Sequence, residues 1–473
     1  EEDCLGLSFE PKSGRAIPSK RRCGDLLAVL IIASGQRRVP RVLMPIVAGK
    51  GIRVMQSLMR HGGHQARLLS CAVLLILSGC TEEPSKTPRL RWYVFDEPSG
   101  AFARAAEHCS EASEGRYHIE LAPLPADADQ QREQLVRRLA AGDPDIDIIG
   151  MDVIWTAEFA EARWILPWQS KVADEARAGR LDSSVETATY DGQLWAVPFT
   201  TNTQLLWYRS DRVKAPPETW DEMIRIAEHL GERGSIQAQG ERYEGLTVFF
   251  VSLLASAGGS VLNPDGQTIS LDAEPTHRAL SIMRRLATSA AADPSLPTAR
   301  EDQARLAFEN GEPSFMINYT YVWPSAKANA PEVAAHMRWA RWPAVIEGSP
   351  SRVTIGGINL AVGAHSRHRK LAQEAAACIA SEPNQRLAAT LGGLPPTIHT
   401  LYDDHEVRST FAFADLLRDT LRDAVQRPKT PLYTDVSLAI SHTLHPMREI
   451  NPAQDVERLR KAVLRALRSE GLL

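Results

Sequence analysis

Leu194–Arg209 reads LWAVPFTTNTQLLWYR, and the fold turns on this stretch. Two strand-like apolar runs are joined through Pro198 and a short Thr/Asn stretch, with no helix between them. A connection that stays extended while it crosses is the signature of a hinge between two lobes. Outward toward the N-terminus, Ile146–Met151 (IDIIGM) is mostly apolar without clean alternation, as a parallel strand covered on both faces requires. Before it, the patterns predict a strand at Leu90–Phe95, a helix over Ala101–Ser113, a strand at His118–Pro123 and a helix over Gln130–Ala141. This alternation predicts an α/β domain built on a parallel sheet. Outward toward the C-terminus, helices are predicted over Trp220–Leu230, Leu246–Ala257, His277–Ala287, Lys370–Ala380, Asn384–Leu391 and Val456–Arg468. Phe315–Asn318 and Val353–Val362 read as strands.

A chain of 473 residues exceeds what one hydrophobic core supports, so at least two domains are expected. Hydrophobic residues make up 44% and charged residues 24%, which excludes a disordered or multi-span membrane protein. A formal net charge of -4 argues against a nucleic-acid surface, which needs a concentrated basic face.

The first eighty residues read as something other than fold. In RHGGHQARLLSCAVLLILSGC (Arg60–Cys80), two arginines precede an apolar run that closes on Leu77-Ser78-Gly79-Cys80. This is the pattern of a secretion signal with a lipoprotein cleavage box, and the Cys80 thiol would carry the lipid. The chain starts at Glu1, while Met55 and Met59 lie just before the signal. Residues 1–58 are therefore expected to be a non-native, unstructured upstream segment, with translation starting at Met59 or Met55. The signal would occupy 59–79, and a polar tether 80–88 would follow. Once the signal is removed, Cys109 and Cys378 are the thiols left besides the anchor, and an extracytoplasmic compartment permits a disulfide between them.

Enzyme motifs are missing. The chain has no HExxH, CxxC, GxSxG, Walker or post-strand GxGxxG pattern, and its thirteen histidines are scattered. Asp152 and Glu158 are a carboxylate pair of the kind glycosidases use, and they keep an enzyme reading open.

A different constellation stands out. Asp152 follows the strand Ile146–Met151 at its carboxyl end, where ligands of open α/β sheets bind. Asn202 lies in the hinge, Glu301 precedes a helix, and Tyr319 follows the strand Phe315–Asn318. Gly356 and Gly357 interrupt the strand Val353–Val362, and Arg427 sits in a loop before Pro428. Carboxylates, an amide and a guanidinium suit sugar hydroxyls, each of which donates and accepts, while an aromatic ring suits the C–H face. Each residue also has a structural reading of its own: Asp152 as a cap, Glu301 as a first-turn acid, Tyr319 as core.

MDVIWTAEFAEARWILPW (Met151–Trp168) resembles the N-terminal lobe of the group-B extracellular solute-binding proteins of ABC importers, the carbohydrate-binding group. With TTNTQLLWYRSD (Thr200–Asp211), SAGGSVLNPDG (Ser256–Gly266), ARLAFENG (Ala304–Gly311), VTIGGINLAV and QRPKTPLY (Gln426–Tyr433), the resemblance extends to the trehalose-binding branch of actinobacterial importers. It implies a type II periplasmic-binding-protein-like α/β fold of two lobes with hinge strands between them. The expected lobes are 89–198 plus 353–400 and 199–352 plus 401–473. It further implies that Asp152, Asn202, Glu301, Tyr319, Gly356, Gly357 and Arg427 contact the ligand. That ligand would be an α-linked glucose disaccharide, trehalose first and maltose next. The return of Val353–Val362 and Lys370–Ala380 to the first lobe would bring Cys378 toward Cys109. The implied partners are permease subunits and a membrane reached through the lipid on Cys80, in the periplasm or at the cell surface. The implied protein is a monomer without catalytic activity, metal, cofactor or nucleic acid.

Overall fold

The computed structural model describes residues 87–125 and 127–470. The expected upstream segment, signal, lipidation site Cys80 and residues 80–86 of the tether lie outside the described residues.

The strands are β1 (Arg89–Phe95), β2 (His118–Leu124), β3 (Ile148–Asp152), β4 (Thr189–Tyr190), β5 (Gln193–Leu194), β6 (Val197–Asn202), β7 (Leu205–Arg209), β8 (Ile236–Gln237), β9 (Phe315–Asn318), β10 (Met337–Ala340) and β11 (Gly356–Val362). One sheet runs β2-β1-β3-β11-β6, a second runs β10-β7-β9-β8, and β4 and β5 form a small ribbon. Each of the two larger sheets anchors one lobe.

The parallel expectation is only partly met. β3 runs parallel to β1, but β11 is antiparallel to both β3 and β6, so the first sheet is mixed. The cause is the route of the chain: β11 enters the first sheet on its way back from the second lobe, against the direction of the outgoing strands. The glycine pair also differs from the expectation. It opens β11 rather than interrupting a longer strand, because Val353–Ile355 pairs with Val425 instead. The chain leaves the first sheet between β6 and β7 and returns to it at Val353–Gly356, with Val425 paired beside the returning stretch.

Local chemistry explains the helices that matter for the cleft. Asp127 caps the helix Ala128–Ala140 by accepting from Gln130 N at 3.0 Å. The helix Glu244–Ser256 is apolar almost all round, and every residue from Gly245 to Ser256 is buried. Trp92, Phe102 and Phe199 pack together in the first core, and Trp220, Phe249 and Trp342 in the second. Cys109 and Cys378 are joined by a disulfide that ties the helix Ala101–Ala112 to the helix Arg369–Ile379.

Candidate functional site

A cleft of about 540 Å³ opens between the two sheets, and all seven residues singled out from the sequence line it. Asp152 is the last residue of β3, Asn202 the last of β6, and Tyr319 directly follows β9. Gly356 and Gly357 are the first two residues of β11, while Glu301 opens the helix Glu301–Glu309. Asn318 holds that helix start in place, its Nδ2 donating to Glu301 O at 2.9 Å.

Arg427 forms the floor. Its Nη2 donates to Asp152 Oδ1 at 3.1 Å and its Nη1 to Glu244 Oε1 at 2.9 Å. Its side chain is 6% exposed, and its Nε–H finds no acceptor among the described residues. Burial opposes the charge, but Asp152, Tyr433 and Glu244 more than offset that and keep the guanidinium protonated. Glu244 in turn accepts from Tyr433 and Ser437. Burial pushes the Glu244 carboxyl above its ordinary range, and these donors pull it back only in part. Asp152 does double duty, because its Oδ1 also accepts from Ile154 N at 3.1 Å and so caps the turn after β3.

The glycines are explained by their neighbours. A Cβ on Gly356 would sit 2.2 Å from Asn202 Oδ1, so the bare backbone leaves the carboxamide its place. Gly357 has φ +133°, and a Cβ there would meet Thr200 O at 2.2 Å.

Glu301 and Tyr319 lie on the second-lobe wall. Burial raises the Glu301 carboxyl, and burial together with the charge of Glu301 raises the Tyr319 hydroxyl. Tyr243 also lines the cleft, and its hydroxyl is buried there. It stands close enough to Glu301 for each to bear on the other's titration. Gly245 makes room for that hydroxyl, since a Cβ there would lie 2.1 Å from it.

The mouth belongs to Arg300. Its Nε and Nη2 grip Glu241, each at 2.8 Å, and its Nη1 reaches Asp127 Oδ2 at 3.0 Å. The guanidinium lies over the Tyr243 ring, 4.6 Å from its centroid. Glu241 is held below the ordinary carboxylate range, chiefly by its hydrogen bonds from Arg300.

Tyr243, Glu244, Glu241, Arg300 and Asp127 are cleft or rim residues that the sequence reading passed over. The available signal was the run Glu241–Glu244, a charged and aromatic stretch directly ahead of an apolar helix. Glu158, the other carboxylate of the enzyme reading, is not among the cleft-lining residues. Arg132 holds it, with Nε donating to Oε2 at 2.7 Å.

Residues 114–386 match the family model described as bacterial extracellular solute-binding protein. A probable ABC transporter-binding protein of Deinococcus radiodurans is 30% identical over 344 residues, spanning 69% of this chain and 81% of that protein. The diacetylchitobiose binding protein DasA of Streptomyces coelicolor is 24% identical over 229 residues, spanning 46% of this chain and 53% of that protein. Among solved structures, maltose-bound T. maritima MalE3 superposes with a TM-score of 0.73 at 25% identity, covering 80% of this chain and 99% of that one. The GacH receptor of Streptomyces glaucescens, solved unliganded and with acarbose, superposes with a TM-score of 0.71 at 19% identity, covering 81% and 99%.

Proposed function

Because the chain belongs to the bacterial extracellular solute-binding protein family, we propose that it is the receptor of an ABC sugar importer and binds an α-linked glucose disaccharide. Its architecture is the α/β, type II periplasmic-binding-protein arrangement of two lobes. In this reading trehalose is the first ligand and maltose its nearest competitor. The lobes, 89–198 with 353–400 and 199–352 with 401–473, close on the sugar and present it intact to the permease. The lipid on Cys80 keeps the receptor at the membrane.

The observation that carries this reading is the convergence of Asp152, Asn202, Glu301, Tyr319 and Arg427 on one cleft. Asp152 and Glu301 accept from sugar hydroxyls, Asn202 both donates and accepts, and the Tyr319 ring offers an apolar face. Arg427 works partly through Asp152, whose carboxylate it orients. The likeness to maltose-bound T. maritima MalE3 supports an α-glucoside.

Isothermal titration with trehalose, maltose and sucrose tests the proposal. Heat is expected with at least one of the first two, and silence from every disaccharide would sink the sugar reading. Tyr319→Ala should weaken the bound sugar about tenfold through lost ring contact. The glycosidase alternative has less to stand on, since Arg132 engages Glu158 away from the cleft. Release of unchanged sugar is expected, and product formation that disappears in Asp152→Asn would overturn that.

A further inference from the structure

We propose that Arg300 and Asp127 form a clasp across the mouth of the cleft, one that sets how long a ligand is retained without needing to touch it. Both ends of the clasp are anchored before they meet. On the second-lobe side Glu241 grips Arg300 through two hydrogen bonds and the Tyr243 ring supports its plane, which leaves Nη1 pointing at the opposite wall. On the first-lobe side Asp127 uses Oδ1 to cap the helix Ala128–Ala140, which leaves Oδ2 for Arg300.

Exposure places the pair at the mouth. The side chains of Arg300 and Asp127 are 36% and 30% exposed, while Arg427 at the floor is 6% exposed. Another cross-lobe contact, Lys429 Nζ to Glu186 O at 2.9 Å, involves two residues that do not line the cleft. Parting the lobes wide enough for a ligand to pass leaves Arg300 with Glu241, so the bond that breaks is the one to Asp127. Arg300 and Asp127 are thus positioning residues for closure. The idea rests on the receptor reading in needing a cleft that opens, but not on which sugar enters.

Asp127→Asn is the cleanest probe, because asparagine caps a helix as well as aspartate does but cannot hold a cation. Stopped-flow dissociation of whichever disaccharide binds is measured on the full chain at about 20 mM and about 300 mM salt. Wild-type release is expected to quicken about threefold with added salt, the scale of a pair about one-third exposed. The variant should already release about threefold faster at low salt and respond little to more. Equal rates and equal salt responses in the two proteins would overturn the clasp.

If no disaccharide binds, the receptor proposal fails, and spin labels on the ligand-free protein decide the clasp by themselves. Gln134, on the helix that Asp127 caps, and Arg242, next to Glu241, are both exposed and take the labels. A broader or longer low-salt distance distribution in Asp127→Asn supports the clasp. Coincident distributions refute it.

Discussion

Arg427 and Arg300 share one plan. Each is gripped by an aspartate from the first lobe and a glutamate from the second, and the two glutamates, Glu241 and Glu244, are neighbours on one segment. What separates them is water. The floor guanidinium is 6% exposed against 36% for Arg300, so Arg427 cannot leave its carboxylates without becoming a buried, uncompensated cation, even though Asp152 and Asp127 are about equally exposed. The mouth pair keeps a third of its surface in solvent, where separated charges are rehydrated at little cost. The same residues in the same pattern thus make a fixed element at depth and a reversible one at the rim.

The comparison is most directly broken at the floor. Arg427→Ala would leave Asp152 and Glu244 facing each other without their cation, and urea unfolding should show a loss of about 3–5 kcal/mol. A loss below about 1 kcal/mol would mean the floor is no more committed than the mouth. Next comes the backbone under that floor. Gly357→Ala forces a side chain onto φ +133° against Thr200 O, and the expected cost is about 1–3 kcal/mol by the same measurement. A neutral result would place the floor's rigidity in its charges alone. At the mouth, Asp127→Asn should cost less than about 1 kcal/mol and leave the unfolding midpoint nearly unchanged.

The smallest effect is an order of titration, read by carbon NMR of glutamate carboxyls. Glu244 and Glu301 are raised by burial, so they should take up protons first on acidification. Their folded pKa values exceed the unfolded ones, so the folded state regains stability as pH falls through them. Glu241 is lowered by Arg300, so it should protonate last. Its contribution is present above the unfolded value, about 4.3, and is lost as pH falls through the lower folded one. Glu241 titrating above Glu244 would reverse the comparison.

Much of the frame was legible in the chain. The helix Trp220–Leu230 and the strand Phe315–Asn318 fall where the pattern puts them, because amphipathic period and turn residues act locally. Asp152, Asn202 and Tyr319 could be picked out because carboxyl ends of strands are where open sheets present side chains. The direction of β11 could not be read, since the apolar pattern of a covered strand is the same either way along the chain. Tyr243 and Glu244 escaped for a related reason. They stand at the head of a helix so apolar that its sequence speaks only of core, and a charge at a helix start looks like an ordinary first-turn acid. Arg300 reads as a solvated flank until folding sets Asp127 opposite it.

The place of β11 has a consequence for how the molecule is made. It lies between β3 and β6, yet it leaves the ribosome roughly two hundred residues after β3, when most of the second lobe already exists. Until then the strands on either side of its slot have raw edges, ready to pair with any extended chain nearby. A nascent molecule arrested short of Gly356 would be a seed for aggregation, and rapid delivery of the last quarter of the polypeptide would protect it.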